Sequence, residues 1–196
     1  GCIRRTFSDA AQVTQLIEQG ANPRAIGALL VRGATGPPYW RWRYSCLSFA
    51  IDSPTGTPSL VATGANFLID VPVVTSQWPS RQLQREVINA LIDGGADINE
   101  DRPLHVAIRA RSLTAVEALL ARQVDVRGFT VMQLPYVSEA AAALTCQYED
   151  ALMSVYRRLI QHDSTLAAER TFGSCLVHSA AVKSARFSQQ FIDQYL

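Results

Sequence analysis

The feature that most limits what this chain can fold into is a short ending that recurs. Gly20-Ala21-Asn22, Gly64-Ala65-Asn66 and Gly95-Ala96-Asp97-Ile98-Asn99 are variants of one motif, and the second and third lie 31 residues apart. The first and third directly follow an amphipathic stretch: Val13, Leu16 and Ile17 before Gly20, and Val87, Ile88, Leu91 and Ile92 before Gly94-Gly95. Apolar residues at this spacing share one helix face, and the glycines are placed where a left-handed residue ends a helix. Self-similarity at a period of about 30 residues marks a repeated supersecondary unit. Such a unit cannot bury its apolar face alone, so neighbours must stack. One continuous array is therefore expected over residues 1–196 rather than two independent domains.

Helical periodicity continues at Val116, Leu119 and Leu120, and at Leu152, Val155, Tyr156, Leu159 and Ile160. Residues 1–80 hold seven of the nine Pro and seven of the eleven Gly. The second part should thus be mostly helix, and the first should be helices broken by long loops. No stretch shows sustained strand-type alternation. Val71 to Thr75 is the only short strand-like run, and Pro72 weakens it. Hydrophobic residues at 48% and charged residues at 18% suit a packed core. A net charge of +1 points to no nucleic-acid or anionic-membrane partner. The longest apolar runs, Ala25 to Val31 and Ala140 to Leu144, are too short to span a bilayer. Cysteines at 2, 46, 146 and 175 lack metal-ligand spacing and are too sparse for a disulfide scaffold. A reducing, cytoplasmic or nuclear setting is expected.

Arg102-Pro103-Leu104-His105-Val106-Ala107-Ile108 resembles the T-P-L-H-x-A opening of an ankyrin repeat, with Arg in place of Thr. Val124-Asp125-Val126-Arg127 is similar to the repeat's degenerate ending, with Gln123 where the family has Gly. Gly173-Ser174-Cys175-Leu176-Val177-His178-Ser179-Ala180-Ala181 keeps the Gly, His and Ala pattern but replaces Thr-Pro with Cys175-Leu176. The resemblance implies an all-α fold: an ankyrin-type helical solenoid of four to five degenerate repeats with short β-turn fingers. It is strongest over 87–127 and thinnest before 80. Residues 33–44 and 53–82 depart from it and are expected to be loop-rich insertions. Ser48, within Ser45-Cys46-Leu47-Ser48-Phe49-Ala50-Ile51, stands where the motif histidine would be.

The family's concave face of fingers and first helices implies a protein-binding, adaptor-like surface with no cofactor, metal, small-molecule substrate or catalysis. On this chain it would include Glu100, Asp101, Arg102, Arg109, Phe129, Phe172 and Lys183. The densest local feature is Tyr39-Trp40-Arg41-Trp42-Arg43-Tyr44, following Gly36-Pro37-Pro38. Tyr, Trp and Arg are the residues enriched at interface hot spots. In an extended strand both Trp would lie on one face and both Arg on the other. The segment is expected either to cap the first repeats or to contact a partner. Stacking of single-stranded nucleic acid on it is the weaker possibility.

His105 and His178 occupy the motif slot and are expected to be structural. Cys175 and His178, three apart at a helix start, suggest a nucleophile but lack a third orienting group. Asp93, Asp97, Glu100 and Asp101 lack the alternating ligands of a calcium loop. Gly33-Ala34-Thr35-Gly36 lacks the Lys of a phosphate-binding loop. The start at Gly1 and the short last repeat suggest a second possibility, a targeting module cut from a larger enzyme or a host-directed effector. A third is an enzyme whose long loops form a pocket.

Overall fold

The computed structural model describes residues 9–33, 36–51, 61–63, 70–72, 78–100, 102–127, 131–135, 144–170, 175–183, 185 and 187–196, with backbone only at 28–33, 36–44, 61–63, 70–72, 179 and 183. These residues are mostly helical. In chain order they form α1 (Ala10–Glu18), β1 (Ile26–Gly33), β2 (Gly36–Ser45), α2 (Cys46–Ile51), β3 (Val61–Thr63) and β4 (Asp70–Pro72). Then come α3 (Arg81–Asp93), α4 (Pro103–Arg109), α5 (Leu113–Ala121), α6 (Cys146–His162), a 3-10 turn (Ser164–Ala168), α7 (Leu176–Lys183) and α8 (Gln189–Tyr195).

Each helix begins and ends where its residues dictate. Asp9, Ser80, Ser112, Thr145 and Ser188 accept backbone N–H bonds at the starts of α1, α3, α5, α6 and α8. These caps satisfy donors with no partner inside the helix. At the other end one pattern recurs. Gly20 N–H donates to Ile17 and Ala21 N–H to Leu16; Gly95 and Ala96 do the same to Ile92 and Leu91, and Gln123 and Val124 to Leu120 and Leu119. The residue that makes the turn has positive φ each time: 95° at Gly20, 100° at Gly95 and 59° at Gln123. Gln123 thus adopts the conformation for which the other two sites use glycine.

The helices pack in a consistent order. One set of helices makes contact in succession: α1 with α3, α3 with α5, α5 with α6, and α6 with α8. The shorter α2 packs on α3 and α4, and α4 on α5 and α6. Leu47, Ile51, Val87, Ile88, Leu104, Ala107, Val116, Leu119, Leu152, Val155 and Leu159 are buried in one continuous core. Gly94 allows the closest approach, since a Cβ there would lie 2.6 Å from Cδ1 of Ile17.

Two expectations need correction. Gly33 and residues 36–44 belong to strands, not to an irregular loop. β1 and β2 pair antiparallel with Ile26 opposite Ser45, Leu29 opposite Trp42 and Val31 opposite Trp40. The aromatic and aliphatic residues here favour strands, and Pro37-Pro38 fall where the register shifts, so no ladder bond is lost. Cys46 N–H donates to Ala25 O at 3.2 Å and closes the base of this hairpin. The segment 53–82 also contains regular structure. β3 and β4 pair antiparallel, with Val61 opposite Pro72, and residues 81–82 already belong to α3. Gly64-Ala65-Asn66 therefore follows a strand rather than a helix, unlike its two sister motifs.

The two helices that flank this segment, α2 and α3, pack directly on each other. Gln84, fully buried in α3, donates from Nε2 to Ile51 O at 2.8 Å. Its Oε1 accepts from Ser112 Oγ at 3.3 Å. One amide thus satisfies the last carbonyl of α2 and ties it to the cap of α5.

Candidate functional site

The turns that follow the longer helices share a side-chain device. Asn22 Oδ1 accepts from Arg24 N–H at 2.9 Å, Asp97 Oδ1 from Asn99 N–H at 2.8 Å, Asp125 Oδ1 from Arg127 N–H at 2.7 Å, and Asp163 Oδ1 from Thr165 N–H at 3.0 Å. A short carboxylate or amide bonding its own backbone two residues on fixes a turn locally.

The turns are also bonded to one another. Arg24 Nε donates to Gly95 O at 2.7 Å. Asp125 N–H donates to Asn99 Oδ1 at 2.9 Å. The Arg127 guanidinium reaches both Asp163 and Thr165. All of these groups are exposed, so each bond contributes little alone. Together they form a ladder from residue 24 to residue 165. Arg127 and the Thr165 hydroxyl and amide hold the Asp163 carboxyl below its usual range, the Thr165 hydroxyl contributing most.

The middle of the row is the best-formed part. Asn99, Arg102, Pro103, Leu104, His105, Asp125 and Val131 line a cavity of about 130 Å³ with Ile98 and Val124. Arg102 enters α4 in the left-handed conformation at φ 54° and is exposed. His105 lies half-buried in the first turn of α4. Burial first, then the charges of Arg102 and Arg109, pull its pKa down to about 4. It is neutral at pH 7 and does not titrate in the physiological range.

The predicted contact residues fall unevenly on this surface. Glu100 and Arg102 stand exposed on the second turn, and Arg109 is half-buried at the end of α4. Tyr39, Trp40, Arg41, Trp42, Arg43 and Tyr44 lie on β2, which runs directly into α2 and contacts it. The hairpin therefore leads into α2, as Arg102 leads into α4. Lys183 is the last residue of α7. Asp101, Phe129 and Phe172 lie outside the described residues.

Two of the acidic residues, Asp93 and Asp97, have structural partners. Asp93 takes the Arg122 guanidinium at 2.5 and 3.1 Å, which lowers its pKa, and Asp97 holds its own turn. Among the described residues no group of three His, Cys, Asp or Glu could hold a metal ion.

His178 behaves differently from His105. It is exposed, and its Nδ1 lies 3.1 Å from Cys175 Sγ and 3.4 Å from Cys175 N. Sequence reasoning missed the ladder. Asn22, Asp97 and Asp125 sit in motifs it had singled out, but Asp163 follows His162 with no glycine to mark it. It also missed Glu149, a buried carboxylate that accepts from Ser188 N and Oγ at 2.6 Å each and anchors α8. No family model, curated protein or solved structure matches this chain.

Proposed function

We propose that the chain is an ankyrin-type helical solenoid of four to five degenerate repeats that works as a protein–protein interaction module. The observation that carries this reading is the bonded row of like turns, each following one of the longer helices. Such a row presents a continuous, rigid strip of outward polar side chains. A partner laid along it would meet Glu100 and Arg102 and then Arg109. The strand carrying Tyr39 to Tyr44 precedes them, and Asp101, Phe129, Phe172 and Lys183 complete the proposed contact set. A protein ligand suits the cavity size too. About 130 Å³ is well below the roughly 300 Å³ where small-molecule sites begin. The near-neutral charge disfavours nucleic acid, and no described helix is long and apolar enough to cross a membrane. The sparse cysteines suit a cytoplasmic or nuclear adaptor.

The test is selective loss of one captured partner. The immobilised chain is used to capture proteins from a lysate of the source cell, identified by mass spectrometry. A variant combining Glu100→Arg, Arg102→Glu and Arg109→Ala should lose the captured protein by at least about tenfold, as for disrupted interface hot spots. A variant combining Arg85→Ala and Glu117→Ala, an exposed pair between α3 and α5, should retain it. Equal capture by both variants, or loss by the second alone, rejects the turn face as the binding surface.

A further inference from the structure

We infer that Cys175 is a reversible thiol-modification site, forming mixed disulfides with small disulfide compounds under the control of His178. Cys175 immediately precedes α7, and His178 follows in the first helical turn. The Sγ–Nδ1 distance of 3.1 Å is within reach of direct proton transfer. Two backbone N–H groups and the His178 ring face the sulfur. The His178 backbone N–H, the His178 ring and the Val177 backbone N–H, in that order of effect, hold the thiol below its ordinary range, at about 7. A helix start favours an anion at the same place. Cys175 is partly exposed and His178 beside it is exposed.

The reaction balances without a further oxidant. The Cys175 thiol proton passes to Nδ1 of His178. The thiolate attacks one sulfur of the small disulfide, so the Sγ–S bond forms and the disulfide's own S–S bond breaks. The other half leaves as a thiolate and takes the proton, giving one mixed disulfide and one free thiol. An added small thiol reverses the exchange by the same path.

Cys146 provides an internal control. It is exposed at the first position of α6, where Thr145 serves as the cap. Intact protein is treated with oxidised glutathione at pH 7, and the modified cysteines are followed by peptide mass spectrometry. Cys175 should react about tenfold faster than Cys146, which shares the helix-start position but has no histidine set against it in the same way as His178. His178→Gln should bring the two rates within about threefold, with Cys146 unchanged. Equal rates in the wild type, or a Cys175 rate untouched by His178→Gln, would overturn the inference. The wild-type pH profile gives a second route that needs no variant. The Cys175 rate should level off above about pH 7. A Cys175 rate that climbs through about pH 9 without levelling would equally overturn it.

Discussion

The motif around His105 and the motif around His178 have nearly the same pattern and opposite surroundings. Leu104 is 3% exposed, whereas Val177, its counterpart, is 60% exposed. Ile108 is buried and Ala181 exposed; Arg109 is half-buried and Val182 stands 81% exposed. Only the small residue is equivalent, with Ala107 at 0% and Ala180 at 3%. The difference teaches where burial comes from in a layered molecule. Ala107 and Ala180 both pack into the core, so close approach needs the same small residue in each. Leu104 belongs to the core, and α5 and α6, which come after it, both pack on α4. Val177 has no comparable cover. The same residue pattern is therefore core at α4 and surface at α7.

The largest effect that could break this comparison is a matched pair of truncations. Leu104→Ala should cost about 2–5 kcal/mol, the usual range for a buried leucine. Val177→Ala should stay within about 0.5 kcal/mol. Urea unfolding of both variants reads the difference directly. Similar costs would mean that the two motifs share one environment.

A smaller effect follows from the protonation of His105. Its folded pKa, about 4, lies below the ordinary 6.5, so the unfolded chain binds the proton more readily. This contribution is fully present above pH 6.5 and is lost as pH falls toward 4. Between pH 7 and 4.5 the wild type should lose about 2–3 kcal/mol more than His105→Gln, from a shift of that size. Unfolding midpoints at the two pH values measure it. An identical loss in both proteins would remove His105 from its buried position in this account.

Local chemistry was legible from the sequence, and tertiary consequences were not. The stops at Gly20 and Gly95 follow from backbone geometry carried by single residues, and both glycines do adopt positive φ at a helix end. The β1–β2 hairpin was missed because Gly36-Pro37-Pro38 reads as a breaker. Only its partner strand shows that the prolines stand at a register shift, where they cost no bond. That α2 packs on α3 across residues 52–80 is a long-range fact with no local signal. Gln84 is unreadable for the same reason, because a glutamine in an amphipathic helix looks solvated until two other helix ends converge on it. The Cys175–His178 spacing was visible, but its exposure depends on what packs against α7. His178 was expected to serve as His105 does, and the difference between them lies in packing rather than in the motif.

The central claim is that each layer is protected by the next, and site-resolved amide hydrogen exchange tests it most directly. The amides of Ala110, Val116 and Val124 donate to Val106, Ser112 and Leu119 within the covered middle. They should exchange only through global unfolding. The amides of α7 should exchange through local opening, at a free energy lower by on the order of 2 kcal/mol or more. Equal protection of α7 and α5 would contradict the account.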